Sequence, residues 1–236
     1  MKRLLLLSNS TCWEMGYLEH ARGMIKDYLG GGVKKVLFVP YAGVTVSWDK
    51  FTDIVAGVYR ELGYEMESIH TAADPVAAVE GAEAIAVGGG NTFHLLKTMY
   101  DNDVVGAIRE RVLAGAPYMG WSAGSNVAGP TIRTTNDMPI VEPPTFDALE
   151  LVPFQINPHY TDATLPRHKG ETRADRLNEF IEANPGVAVA AIREGSVLRI
   201  EGDRVELLGD KDALVFIKGK DVTEHKPGDS LQFLMG

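Results

Sequence analysis

The chain reads as an α/β protein built on a doubly wound, mostly parallel sheet, with antiparallel strands added near its C-terminus. Three observations predict this. Short, near-continuous apolar runs recur through the first two thirds, each bounded by turn residues, as strands buried on both faces require. Segments of helical period lie between those runs, the alternation that a parallel sheet with crossover helices demands. From residue 187 onward the chain reads as one strand after another.

In chain order, residues 4–7 are four leucines and open the sheet. Over 13–29, Trp13, Tyr17, Ala21, Met24 and Tyr28 keep roughly one face, which predicts a helix. A strand at 36–39 leads to a helix over 48–62, ended by Gly63, since glycine accepts the left-handed conformation past a helix end. After a strand at 66–69, Asp74-Pro75 supplies an N-cap and a proline at the first helical position, starting a short helix through Val79. Residues 85–87 form a strand that runs into Gly88-Gly89-Gly90. Asn91 then caps a helix through Met99, and Asp103 starts another through Leu113. A strand at 117–119 precedes Gly120-Trp121-Ser122-Ala123-Gly124, with a helix opening at 125–128. Beyond the Pro-rich connection 141–144 come a strand over 151–157 and a helix from about 172 to 183. Strands at 187–192, 197–201, 204–208 and 213–218 finish the chain, with Gly202-Asp203 as a two-residue hairpin turn. No repeat, low-complexity tract or long linker divides these elements, so residues 1–236 are expected to form one α/β domain.

A length of 236 residues supports one sizeable core, and 45% hydrophobic with 23% charged residues is ordinary for a soluble globular chain. The longest early apolar run, 4–7, is too short for a signal peptide core or a membrane span. One cysteine, Cys12, excludes an intramolecular disulfide framework and a Cys-rich metal site. A cytoplasmic protein with no metal and no cofactor is expected. The net charge of −9 argues against a nucleic-acid surface, and the pairs Lys34-Lys35 and Lys218 with Lys220 are small. An anionic substrate would need a local positive site, because the overall field repels it.

The chemistry centres on residues 120–124. G-x-S-x-G between a strand and a helix is the pattern of a nucleophile elbow, in which a strained turn lifts the serine hydroxyl above the sheet. Ser122 is the candidate nucleophile, and the Ala123 N–H a candidate oxyanion donor. Such a serine needs a base, and the base an orienting acid. Of six histidines, His159 stands out, since it follows a strand-like stretch ending at Pro158 and so lies where open α/β sheets gather their sites. His70 also ends a strand and is its rival; His94, His168 and His225 suit helix or loop surfaces. Two acids compete. Glu194 follows the apolar strand 187–192, and Asp137 lies in the irregular polar segment 134–139. Gly88-Gly89-Gly90-Asn91-Thr92 can bring backbone N–H groups to an anion at a helix N-terminus, as a phosphate cradle or as the second oxyanion donor. Neither the P-loop Lys-Ser/Thr pair nor G-x-G-x-x-G is present, which disfavours a nucleotide.

Several long strings resemble the peptidase E family. They are residues 6–11, 40–45, 74–78, 88–93 and 120–124, then Thr131 to Val141, Gln155-Ile156-Asn157-Pro158-His159, and His168 to Arg173. The likeness covers the chain from the first strand to Arg173 and continues more loosely to the end. Ser125 departs from it, standing where relatives carry alanine.

The resemblance implies a cytoplasmic α-aspartyl dipeptidase, a serine peptidase that splits dipeptides with an N-terminal aspartate, on a class I glutamine amidotransferase-like fold. By motif, Ser122 would be the nucleophile, His159 the base and Glu194 the third member, with Asp137 a second candidate for that place. Gly90 and Ala123 would be the oxyanion donors. The substrate's side-chain carboxylate calls for a guanidinium, with Arg173 the first choice and Arg133 the second, while Asn91 and Thr92 could add hydrogen bonds. A small Asp-Xaa peptide is the expected partner, with no nucleic acid or membrane, and the chain a monomer or homodimer. Alternatives are a cyanophycinase-like enzyme opening β-aspartyl bonds and a catalytically silent module binding a small anion. A glutaminase of this fold would carry cysteine at the elbow, which Ser122 opposes.

Overall fold

The computed structural model describes residues 1–163 and 170–236. Its elements run β1 (Arg3–Leu7), α1 (Arg22–Leu29), β2 (Lys35–Val39), α2 (Trp48–Leu62), β3 (Glu65–Ser68), α3 (Pro75–Glu80), β4 (Ala84–Val87), α4 (Thr92–Asp101), α5 (Val104–Leu113), β5 (Tyr118–Trp121) and α6 (Ala123–Asn126). They continue with β6 (Gln155–Tyr160), α7 (Arg173–Ala183), β7 (Val189–Arg193), β8 (Ser196–Glu201), β9 (Arg204–Gly209), β10 (Ala213–Phe216) and β11 (Thr223–His225).

Seven strands form the larger sheet in the order β3-β2-β4-β5-β1-β8-β9. The first five are mutually parallel, and β8 and β9 extend them antiparallel. The leucines of β1 show why the parallel strands read as unbroken apolar runs. Leu4 and Leu6 enter one core cluster and Leu5 and Leu7 another, so both faces are covered and none of the four is exposed. Helix signals hold where the caps are explicit. The Asp74 carboxylate accepts the Ala77 N–H at 3.0 Å, Asn91 Oδ1 accepts the His94 N–H at 3.0 Å, and Gly63 ends α2 at φ 88°.

A second sheet of four strands, β11-β10-β7-β6, takes residues that the sequence assigns to the C-terminal extension of the first. Here β6 and β7 run parallel while β10 is antiparallel to both its neighbours. Apolar periodicity cannot say which sheet a strand joins. The turn at Glu194-Gly195 decides it, sending the chain from β7 of the small sheet into β8 of the large one, with Gly195 at φ 93°. One face of the small sheet (Ile156, Ala190, Ile192, Ala213, Val215) belongs to the same core cluster as Leu4, Leu6 and Leu198 of the large sheet. The other face packs under α7 through Leu177 and Ile181.

Two expected elements differ. Residues 13–18 are turns, a 3-10 turn follows at Glu19–Ala21, and the α-helix begins only at Arg22. Glu14 at φ 61° and Leu18 at φ 53° break the helical path, and Trp13, which the helical spacing assigned to the packed face, is 89% exposed. The strand expected over 151–157 begins four residues later, at Gln155, and continues through Pro158 to Tyr160. Proline is tolerated there because β6 is an edge strand and its register shifts between Asn157 and Tyr160, an irregularity that needs no ladder N–H.

Candidate active site

Parallel register puts three carboxyl ends side by side. Leu7 of β1 pairs with Trp121 of β5, and Val87 of β4 with Gly120, so Ser8-Asn9, Ser122 and Gly88-Gly89-Gly90 leave the sheet in a row. Ser122 has φ 54° and ψ −113°, a conformation that costs an L-residue about 1–3 kcal/mol and persists only where its surroundings impose it. The surroundings are tight. A Cβ on Gly120 would lie 2.2 Å from the Gly124 carbonyl oxygen, and one on Gly124 would lie 2.1 Å from that of Val87. Tyr118 donates its buried phenol to the Gly124 carbonyl at 2.6 Å, and burial pushes that phenol's pKa up, keeping it a donor. Ser125 explains its own hydroxyl. Fully buried, it reaches the carbonyls of Leu7 at 2.6 Å and Gly120 at 2.8 Å and ties the one-turn helix α6 to two strand ends.

His159 comes from inside β6, not from beyond its end as the sequence suggested. At the shifted register it takes φ 53°, which turns its ring across to the large sheet. Nε2 lies 2.9 Å from Ser122 Oγ, and Nδ1 lies 2.7 Å from Glu194 Oε1. The three groups thus form one hydrogen-bonded chain, assembled from β5, β6 and the turn between the sheets. Its outer end is open, with the Glu194 side chain 57% exposed and that of His159 37%.

Asp137, the rival acid, is engaged elsewhere. Its Oδ2 accepts the Thr92 N–H at 2.7 Å and the hydroxyls of Thr92 at 2.6 Å and Thr135 at 3.2 Å, so it caps the start of α4. His70, the rival base, sits between Ser68 Oγ at 2.6 Å and Asp49 at 2.9 Å. That trio imitates the composition of a triad without its geometry, since Ser68 is buried in ordinary extended backbone and no glycine loop faces it. His94 bonds the Tyr41 carbonyl, His225 bonds Thr223, and His168 lies outside the described residues.

Above Ser122 the glycine loop is close enough that a Cβ on Gly89 would come 3.0 Å from Ser122 Cβ. Gly90 has φ 138° and its Cβ would strike the Ala42 carbonyl oxygen at 2.2 Å, so the loop is held against residues 40–42 and only glycine fits. Ser122 gives its own N–H to Leu7 at 3.1 Å. The N–H groups of Gly90 and Ala123 have no acceptor among the described residues, which leaves them available to a developing oxyanion.

A cavity of about 170 Å³ lies between loop 133–137, β6 and α7, lined by Arg133, Asp137, Asn157, Arg173 and Arg176 among others. Arg173 is the first residue of α7, where a cation opposes the helix dipole, so helix stability does not call for it. Burial, and then the nearby Arg176, lower its pKa, and it makes no ion pair among the described residues. Arg133 stacks over Phe146 at 5.7 Å and is likewise unpaired. The side chains of Asn91 and Thr92 are already occupied. Asn91 bonds His94 and the Met138 carbonyl, and buried Thr92 bonds Asp137 and Thr135. They shape the site from behind.

Residues 4–208 match the model of peptidase family S51. The chain belongs to that family. Among S51 relatives, a peptidase E of Nostoc sp. is 48% identical over 99% of this chain and 97% of its own length. A peptidase E of Shewanella denitrificans is 52% identical over 90% of each chain. S51 membership with relatives this near makes the protein a peptidase hydrolase, a serine-type dipeptidase. Solved structures agree on the fold. One from Listeria monocytogenes superposes at TM-score 0.63 with 22% identity over 96% of this chain and 98% of that one. A peptidase from an acI-B1 Actinobacterium superposes at 0.72 with 18% identity over 98% and 96%.

Two residues of this site went unread in the sequence. Ser8, fully buried, accepts the His159 N–H at 2.8 Å and donates to the Ile192 carbonyl at 2.8 Å. Asn9, buried beside it, accepts the Gly195 N–H at 2.9 Å. Together they tie the end of β1 to both irregular segments that carry His159 and Glu194. Two polar residues directly after four leucines at a strand's carboxyl end were the available signal. Among the described residues no cluster of His, Cys, Asp or Glu could hold a metal ion, and no helix is long and apolar enough to cross a membrane.

Proposed function

We propose that this S51 peptidase is an α-aspartyl dipeptidase in which Ser122 is the nucleophile, His159 the general base and Glu194 the group that orients it. The continuous Ser122–His159–Glu194 hydrogen-bonded chain at a strained elbow carries the reading. Ser122 Oγ attacks the aspartyl carbonyl while His159 Nε2 takes its proton, and Glu194 steadies the imidazolium. The oxyanion is received by the N–H groups of Gly90 and Ala123. His159 returns the proton to the leaving amine, and an aspartyl ester on Ser122 remains. Water then attacks that ester, again with His159 as base, and free aspartate departs.

Arg173 is the group we assign to the substrate's β-carboxylate, with Arg133 beside it. Neither forms an ion pair among the described residues, and both line a cavity bounded by loop 133–137 and Asn157 of β6, in a protein whose net charge of −9 would otherwise repel an anion. Small Asp-Xaa peptides in the cytoplasm are the proposed substrates, handled by a monomer or homodimer. Relatives at about half identity named peptidase E weigh against a β-aspartyl specificity.

The test is hydrolysis of Asp-Leu beside β-Asp-Leu, Glu-Leu and Ala-Leu, by the wild type and by Ser122→Ala. Asp-Leu alone should be cleaved, and the variant should lose on the order of 10⁶ in turnover, as when a catalytic unit is broken. Cleavage of β-Asp-Leu in preference would replace the proposal with an isoaspartyl one, and an active Ser122→Ala would remove the mechanism.

A further inference from the structure

The triad and the arginines leave one charged side chain of the cavity without a task. Asp137 commits Oδ2 to three donors, Thr92 N–H, Thr92 Oγ1 and Thr135 Oγ1, and this locks loop 133–137 onto the first turn of α4. Its Oδ1 has no hydrogen bond or ion pair among the described residues. Three guanidinium groups line the same cavity, yet none pairs with it. A carboxylate and arginines able to reach each other ordinarily form bidentate pairs. Here Asp137 is tied to α4 by its bonds, and Arg173 projects from the start of α7 with no ion pair among the described residues. The cavity therefore presents a fixed negative group together with guanidinium groups to whatever enters.

Asn157 braces the same wall. Its Nδ2 donates to the Thr134 carbonyl at 2.8 Å and to Asn136 Oδ1 at 2.8 Å, which settles the orientation of the amide. Its Oδ1 is buried and meets no donor.

An N-terminal aspartyl residue has the complementary pattern, an α-ammonium and a β-carboxylate on adjacent carbons. We propose that Asp137 anchors the substrate's free α-ammonium group, and so restricts this enzyme to aspartate at a chain's N-terminus. The proposal rests on the aspartyl dipeptidase reading above and extends it to the opposite charge of the same substrate residue. Reach is adequate. Gly90 and Thr92 are two residues apart, a span of at most about 7 Å, and Asp137 Oδ2 is 2.7 Å from the Thr92 nitrogen. A carbonyl oxygen on the Gly90 N–H and an ammonium two bonds from that carbonyl carbon, with hydrogen bonds of about 3 Å at each end, bridge that gap.

The test compares Asp-Leu with succinyl-Leu, which has the same carbonyl and carboxylate and lacks the amine, in the wild type and in Asp137→Asn. Asparagine keeps an oxygen for the Thr92 N–H and loses the charge. The wild type should favour Asp-Leu in kcat/KM by about 10–150-fold, the range of a charge-assisted hydrogen bond. In Asp137→Asn that ratio should collapse towards one. A purely structural Asp137 would lower both substrates by one factor and leave the ratio intact, which would overturn the proposal. A wild type that treats the two peptides alike would overturn it without any variant. A wild type that cleaves neither, nor any other aspartyl dipeptide, would instead remove the dipeptidase specificity itself, and this inference with it.

Discussion

Replacing Glu194 with glutamine isolates what its charge contributes, because an amide oxygen can still accept the His159 Nδ1–H at the observed 2.7 Å. With that oxygen facing the ring, the tautomer that leaves Nε2 free to take the Ser122 proton is retained. What disappears is the attraction between a carboxylate and the imidazolium that forms in the transition state. Two unit charges about 4 Å apart interact by about 1 kcal/mol in water and about 4 kcal/mol at an effective dielectric constant of 20. The Glu194 side chain is more than half exposed and that of His159 more than a third, so solvent screens the pair and the value falls between those limits. About 1.5–3 kcal/mol, the ordinary worth of a charge-assisted hydrogen bond, corresponds to a kcat lowered by about 10–150-fold. That is well short of the ~10⁴ lost when the buried aspartate of a chymotrypsin-type triad becomes asparagine. The assay is kcat on saturating Asp-Leu for wild type, Glu194→Gln and Ser122→Ala. A loss below twofold would refute the role of Glu194, and a loss equal to that of Ser122→Ala would refute the estimate drawn from its exposure.

Other substitutions probe the supports. Ser8→Ala strips partners from the His159 N–H and the Ile192 carbonyl, and should cost about 1–3 kcal/mol in urea unfolding together with a fall in kcat at little-changed KM. Unaltered kcat would show that the His159 segment holds its position unaided. Gly90→Ala places a methyl 2.2 Å from the Ala42 carbonyl oxygen at φ 138°, so activity should collapse while the far-UV spectrum is kept; near-normal turnover would refute the demand for glycine there. Tyr118→Phe leaves the Gly124 carbonyl under the elbow without its donor and should lower stability by about 1–3 kcal/mol, read as a lower urea midpoint.

Elements whose residues report their own conformation were legible from the sequence. The leucines of β1, the Asp74-Pro75 start of α3, the Gly63 stop of α2 and the glycine spacing around Ser122 each reflect a local demand, and each is met. Asp137 against Glu194 was not decidable that way, because which acid reaches His159 depends on where a turn between two sheets directs the chain. The same holds for residues 13–18, where apolar spacing imitates a helix that left-handed Glu14 and Leu18 prevent. Ser8 and Asn9 belong to a third kind. Their partners lie 151 and 186 residues away, so their position after β1 marks them but their task shows only once those segments are in place.

Ser122 rides on the large sheet, whereas His159 rides on the small one and Glu194 on the hinge-like turn that joins them. The proposed nucleophile and its proposed base are therefore carried by separate frames, and their spacing reports the angle between those frames. Across one packed layer of about 10 Å, a tilt of roughly 5° displaces one end by about 0.9 Å. A shift of that size breaks no hydrogen bond within either sheet, yet misplacement by about 1 Å can slow a reaction ~10²-fold. Turnover in this protein is thus a gauge of how its two sheets are seated, far finer than any measure of whether they are folded.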